Sequence, residues 1–350
     1  MRLMLAYFLM GDAGSAQDVR QYVRTAETLG HEIVIYGPEG MEPGFPCSRE
    51  VDSVDAVVFV FEWTTELRDG DQLDLARIVA GVPRERRVVI DCDGAYNDLL
   101  TVDGDHNHRD PASAWRWVEV CDSLSDRVYQ PTLHPLRPNV GSFFFHGYDP
   151  AWETPLDAGA REYGMVYVGH SKFRWGPMER VLRAIEPVRD RVGRIAVVGH
   201  GWDALPPWAA PMQMEDAFFT DQAYLRSMGV EFVAPAHFAE VIGWMSRARF
   251  NPVIYRPLFS HLTFVTCRTF ETPAAGTIPL FGLGAGYVKE IYGDAALELV
   301  LPEIAPEEKI ADIVDRPEHY HGLVREIRRH LAEHHSYERR VRELIEIVKG

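Results

Sequence analysis

Residues 165–199 read MVYVGHSKFRWGPMERVLRAIEPVRDRVGRIAVVG, and this stretch settles the architecture. Two short runs, MVYVG (165–169) and RIAVVG (194–199), are apolar on both faces and flank a helical segment over 176–190. A strand that is apolar on both sides needs cover on both sides, as in a parallel sheet with crossover helices. The alternation continues outward. Upstream, LMLAYF (3–8), EIVIYG (32–37), AVVFVF (56–61) and RVVID (87–91) read as strands. A helix is predicted over 16–29, where Val19, Tyr22, Val23, Ala26 and Leu29 recur at helical spacing, and Gly30 closes it. A helix over 112–123 and the strands DRVYQ (126–130) and GSFFFH (141–146) complete this half.

Downstream, VEFVAP (230–235), NPVIY (251–255), TIPLF (277–281) and LELVL (297–301) read as strands, and 237–250 and the C-terminus as helices. The segment 147–164, GYDPAWETPLDAGAREYG, has the composition of a linker. The prediction is an α/β protein with two doubly wound, Rossmann-like parallel-sheet domains facing a cleft. The expected units are 1–155, 156–330 and a final helix over 331–350. That helix is apolar at Val341, Leu344, Ile345 and Val348, so it packs back on the body.

The chain has 350 residues and a formal net charge of −16. That excess argues against unspecific nucleic-acid binding, which needs cations to displace phosphate counterions. A local basic pocket for one small anion stays compatible with it. The four cysteines (Cys47, Cys92, Cys121, Cys267) show no CxxC spacing and read as reduced thiols. No signal peptide and no apolar run long enough to span a bilayer is visible, so a cytoplasmic, soluble protein is expected.

Four stretches could carry chemistry. MGDAGSAQD (10–18) joins the first strand to the first helix; Gly11 and Gly14 would place backbone N–H groups at a helix start. It is not GxGxxG, and a plain turn fits it equally well. VGHSKFRWGP (168–177) sets Lys172 and Arg174 beside Gly169, ahead of a helix, a combination suited to a diphosphate. VVGHGWD (197–203) repeats the strand-to-glycine pattern with Gly199 and His200, and is either a ligand loop or a structural turn. RTFETPAAGTIPLF (268–281) puts Arg268 and Glu271 on a short helix after Thr266. Glu271 is either a helix-end charge or an acceptor for a vicinal diol, the role an acidic residue has for ribose in dinucleotide sites.

The loop 92–115 is long and polar, and its DGDHNHRD (103–110) crowds two histidines among four acidic or amide neighbours. A solvated loop is the expectation over a metal site, with one His or Asp among His106, His108, Asp103, Asp105 and Asp110 reaching the cleft as a base or acceptor contact. DCDG (91–94) offers only a superficial DxD pair.

The order of a basic loop after a strand, VVGHGWD, ARFNPVIY (248–255), RTFETPAAGTIPLF and HHSYERRVRELI (334–345) resembles a GT-B glycosyltransferase, more narrowly the CgeB-like group of the family-four-type clan. R-x-FE-x-x-A-x-G-x-x-x-L and H-x-SYE-x-R-V-x-x-L carry the likeness, over about 165–350. The resemblance implies a nucleotide-sugar donor on the second domain, a UDP-sugar in the first instance, and no further cofactor. Glu271 would hold the donor ribose, and Lys172, Arg174 and His200 its diphosphate side. Arg268 and Thr266 would lie near the phosphates or the sugar. The last helix would return to the first domain. Many relatives carry a second Glu eight positions before the first, where this chain has Thr263.

With no convincing DxD pair, metal-independent transfer is expected, with cations and helix N-termini stabilising the leaving diphosphate. The acceptor would be a small molecule, a glycan or a modified nucleic acid. An inverting route would need a base, for which Asp12, His106 and His108 are the candidates; the clan likeness favours retention. The alternatives are a nucleotide-sugar epimerase of the same fold and a non-catalytic nucleotide-sugar-binding protein.

Overall fold

The computed structural model describes residues 1–9, 14–62, 74–156 and 159–350. Asp12 and Gly11 lie outside these residues, and of Gly14 only the backbone, at the start of the first helix, is described.

The first half forms a seven-stranded sheet in the order β3-β2-β1-β4-β5-β8-β9. Its strands are β1 (Arg2–Tyr7), β2 (Glu32–Tyr36), β3 (Cys47–Ser48), β4 (Ala56–Phe61), β5 (Arg87–Asp91), β8 (Val128–Gln130) and β9 (Val140–Ser142). Every pairing is parallel. A small antiparallel hairpin, β6 (Thr101–Val102) and β7 (Asp105–His106), stands apart from it. Helix α1 (Gly14–Thr28) covers one face; α2 (Leu75–Gly81) and α3 (Pro111–Leu124) cover the other.

The second half forms a five-stranded parallel sheet, β12-β11-β10-β13-β14. Its strands are β10 (Tyr163–Val168), β11 (Ile195–Val198), β12 (Val230–Val233), β13 (Ala248–Val253) and β14 (Ile278–Phe281). The helices that follow its strands are α4 (Trp175–Ile185), α5 (Gln222–Ser227), α6 (Val241–Ser246), α7 (Pro257–His261) and α8 (Cys267–Ala274). They are succeeded by α9 (Ala285–Tyr292), α10 (Pro306–Asp315), α11 (Pro317–His334) and α12 (Tyr337–Lys349). Helix α12 lies on the first sheet, not the second. Its Tyr337, Val341, Leu344, Ile345 and Val348 join the cluster of Leu3, Leu5, Val58 and Tyr22. Val341 and Leu344 are fully buried there, and each such side chain stabilises by roughly 1.5–3 kcal/mol.

Several elements differ from the sequence reading, each for a physical reason. The strand expected over 141–146 ends at Ser142; Phe145 leaves the ladder, stacks on Tyr22 at 5.0 Å, and its carbonyl accepts from the Tyr22 hydroxyl. The helix expected to reach 190 breaks into a tighter turn over Glu186–Val188, because Pro187 has no N–H to continue the ladder. The 237–250 helix stops at Ser246, since Ala248 and Phe250 pair with Tyr163 and Met165 in the buried sheet. The run 297–301 is a 3₁₀ turn (Asp294–Leu299) and one bridge from Val300 to Phe281; a short apolar run has no periodicity to separate these outcomes. The segment read as a linker is held in place: Tyr148 N donates to His335 O at 2.8 Å and Thr154 N to Ala274 O at 2.9 Å. Among the described residues no helix is long and apolar enough to cross a membrane.

Candidate functional site

In both sheets the strand order reverses once, between β1 and β4 and between β10 and β13. At such a point the crossovers leave in opposite directions, and a crevice opens beyond the carboxyl ends of the strands. One contact shows that the two crevices face each other. Gln17 Nε2, on α1 after β1, donates to Glu271 Oε1, on α8 after β13, at 2.9 Å.

Glu271 is 1% exposed, which a helix-end charge would not be. Its other oxygen, Oε2, lies 2.9 Å from Arg268 Nη1, yet the angles make no hydrogen bond, so this buried acceptor has none. Burial is the largest influence on Arg268 and works against its charge; Glu271 with its neighbours outweighs it and raises the pKa. Thr266 caps α8: its N–H donates to Thr269 Oγ1 at 3.1 Å. The small residues at the helix end press on the interdomain chain. Arg328 donates to Pro273 O at 2.8 Å, to Ala274 O at 3.0 Å and to Thr154 O at 3.0 Å. A Cβ on Gly276 would stand 2.6 Å from Pro155 O.

The loop after β10 supplies the cations. Arg174 Nη1 lies 2.9 Å from His170 Nδ1 and donates to Lys172 O at 3.2 Å. Arg174 Nε and Ser171 Oγ are buried without a hydrogen-bond partner. His170 is held neutral, well below its usual range, by burial and then by Arg174, Lys172, Arg256 and Arg268 around it. Of these, Arg174 is in direct contact with the ring. Burial and then Arg256 lower the Lys172 ammonium to about 8.

The glycines of the two loops serve each other. A Cβ on Gly199 (φ +148°) would meet Gly169 O at 2.3 Å, and Trp202 Nε1 donates to that same carbonyl at 2.7 Å. Close backbone packing between neighbouring loops accounts for both glycines. His200 holds Ser171 N through its carbonyl at 2.9 Å, and its ring meets Trp208 edge-on.

The polar loop of the first half is placed differently from the expectation. His108 is 5% exposed, its Nε2 lies 2.9 Å from Ala95 O, and burial lowers its pKa. It is folded into its own loop and does not reach the cleft. His106 is exposed, with its Nδ1 3.3 Å from Gly104 O and its ring edge-on to Phe173. Between them, Asp105 is fully buried and crosses to the second domain. It accepts from Arg256 Nε at 2.7 Å, from Arg256 Nη2, and from Leu258 N at 3.0 Å. Beside this bridge Thr263 Oγ1 meets Thr132 Oγ1 at 2.9 Å, so the position where many relatives carry a Glu here joins the domains. In DCDG, Asp91 is buried and accepts from Ala95 N at 3.0 Å, Tyr96 N at 2.8 Å and Gln130 Nε2 at 2.7 Å. It organises a turn.

Sequence reasoning missed Gln17 and Arg256, and weighed Asp105 only as one of a crowded set of acids and histidines. Arg256 directly follows the strand-like NPVIY, and the carboxyl end of a parallel strand was a signal to look there. Nothing local marked Gln17. A cavity of about 700 Å³ adjoins the loop after β10: Phe173, Trp175, Gly176 and Pro177 line it with Phe219 and His261. Among the described residues no group of three or more His, Cys, Asp or Glu side chains is arranged to hold a metal.

Comparison with known proteins agrees with this fold. Residues 179–346 match the model of a glycosyl transferase-like family. No curated protein sequence matches the chain. Among solved structures, the chain is similar to an alpha-glucosyltransferase in complex with UDP and a mismatched 13-mer DNA (11% identity, covering 100% of this chain and 99% of that one, TM-score 0.62). It is also similar to T4 phage BGT in complex with UDP and Mn2+ (13% identity, 99% of each chain, TM-score 0.55). A third is sucrose-phosphate synthase from Thermosynechococcus elongatus (15% identity, 99% and 98% covered, TM-score 0.59). The fold is GT-B, along the whole chain.

Proposed function

We propose that the protein is a glycosyltransferase that takes a sugar from a nucleoside-diphosphate sugar, a UDP-sugar first, and passes it to a hydroxyl in the interdomain cleft. One observation carries the reading. At the reversal point of the second sheet, Arg174 meets His170 at 2.9 Å and Arg268 meets Glu271 Oε2 at 2.9 Å, while Ser171 Oγ, Arg174 Nε and Glu271 Oε2 are buried without a hydrogen bond. Native structures rarely leave such atoms unfilled, and a nucleoside diphosphate has the groups to fill them. Its phosphates suit Lys172, Arg174, Arg256 and Arg268, and its ribose diol suits Glu271.

In the reaction the bond from the anomeric carbon to the phosphate oxygen breaks and a bond to the acceptor oxygen forms. The acceptor proton leaves, and negative charge grows on the departing diphosphate. Cations already in place stabilise that charge without reorganising, the effect that dominates many enzymatic barriers. The N-terminus of α8, at Thr266 and Cys267, adds its dipole to the same place. His108 has no part in this reading, and transfer is proposed without a catalytic base assigned.

The acceptor is proposed to be a small molecule or a glycan. The net charge of −16 opposes a polyanion at long range, although three of the similar structures hold DNA. Within GT-B, we assign the chain to the CgeB-like group on its terminal HHSYERR motif. The motif's role in this fold is structural: Tyr337 OH donates to Asp18, and Arg340 reaches the His335 ring.

The test is a thermal-shift screen with UDP, GDP, ADP and dTDP sugars, since a ligand bound at 100 times its Kd stabilises by about 2.7 kcal/mol. It is followed by donor turnover with and without EDTA. A shift with UDP sugars and turnover that EDTA leaves intact are expected. No shift with any nucleotide would sink the donor site, and loss of turnover in EDTA would sink metal independence.

A further inference from the structure

The contact between Gln17 and Glu271 joins the two domains at the one carboxylate assigned to the donor. Gln17 is half-buried on α1 and Glu271 is 1% exposed on α8, with 2.9 Å between Nε2 and Oε1. A carboxylate offers about four lone-pair positions on its two oxygens, and a primary amide has two N–H donors and one carbonyl acceptor. The amide of Gln17 uses one N–H on Oε1; Oε2 is ion-paired with Arg268 Nη1 at 2.9 Å but accepts no hydrogen bond in its buried place. The ion pair leaves lone pairs of the carboxylate unused, so this pair of side chains can receive hydroxyl donors.

A vicinal diol matches it. One hydroxyl donates to Glu271 Oε2, and the other donates to the Gln17 carbonyl while accepting from its second N–H. We propose that Gln17 is the first domain's contact to the donor ribose and, with Glu271, makes the site select ribonucleotides over 2′-deoxyribonucleotides. This rests on the donor reading above. It adds that ribose recognition is shared between domains, so that a bound nucleotide holds α1 and α8 in register.

The experiment is titration calorimetry of the full chain with UDP and with 2′-deoxy-UDP. A hydrogen bond to a charged group is worth about 1.5–3 kcal/mol, so the wild type should prefer UDP by roughly 30-fold. Gln17→Met keeps the length of the side chain and removes the amide. In it the preference should fall below roughly 5-fold, through weaker UDP binding with 2′-deoxy-UDP little changed. Gln17→Asn, whose amide is too short to reach, should behave the same and stands in if the Met variant is unstable. A purely structural Gln17 would weaken both nucleotides alike. Wild-type preference retained in both variants, with Glu271→Gln still impaired for UDP, overturns the proposal and leaves the donor site standing. Failure of the wild type to bind UDP at all overturns the donor reading as well.

Discussion

The two sheet-reversal points share a topology and differ in how their polar groups are satisfied. At the first, buried charges are held by the protein itself. Asp91 binds turn N–H groups and Gln130, and Asp18 binds His146 Nδ1 at 3.0 Å and the Tyr337 hydroxyl. Burial works against the His146 charge, and Asp18 more than restores it, so the pair is an internal ion pair. At the second, cationic side chains gather on the loop after β10, and Ser171 Oγ, Arg174 Nε and Glu271 Oε2 are buried without a hydrogen bond, Glu271 Oε2 keeping only its ion pair with Arg268. The first half also holds buried atoms without a hydrogen bond, Gln130 Oε1 and Asn97 Oδ1 among them, so what sets the second point apart is the cations that stand beside such atoms. The comparison also shows how an acidic protein can bind an anion: the cations are local and desolvated, where their effect is strongest.

The largest test of this contrast lies on the bridge between the halves. Asp105→Ala removes the partner of Arg256, which is only 15% exposed, and leaves a buried charge unpaired. Stability measured by urea unfolding should fall by about 3–5 kcal/mol; a change under about 1 kcal/mol would show that the bridge is solvated. Next comes Arg174→Ala. Donor turnover should drop roughly 10²–10³-fold, as when one preorganised donor to a developing charge is removed. A variant with normal kcat/KM would move the leaving group elsewhere.

Glu271→Ala should weaken nucleotide binding by about 1–3 kcal/mol in calorimetry, with unchanged affinity ruling out a ribose contact. The smallest effect is with pH. Lys172 is lowered to about 8, so its charge is complete at pH 7 and disappears as pH rises through 8. Donor affinity should fall over that window, and Lys172→Arg, charged throughout, should flatten the profile.

Much of this was legible beforehand. The parallel sheets could be read because apolar runs such as AVVFVF and MVYV are covered on both faces, a demand that each run states by itself. Lys172, Arg174, Arg268 and Glu271 could be named as candidates because they sit at strand ends or on a short helix with small neighbours, and the family likeness, not the local pattern, favoured a donor role for them. The reading failed where a residue's partner is far along the chain. His108 looked like a cleft histidine, but Ala95 O holds it inside its own loop. Asp105 looked solvated, but its partners lie 151 and 153 residues away.

By itself the sequence determined the two-sheet α/β plan, the local cation loop and the acidic overall balance, since these depend on periodicity and composition within short windows. Only the tertiary structure decided that Glu271 is buried and shared with Gln17, that Thr263 faces the first domain, and that the 92–115 loop is a strut between domains. Burial and pairing across 254 residues, the separation of Gln17 and Glu271, are properties of the packed chain. No short window of sequence encodes which buried acceptor will find its donor and which will wait for a ligand.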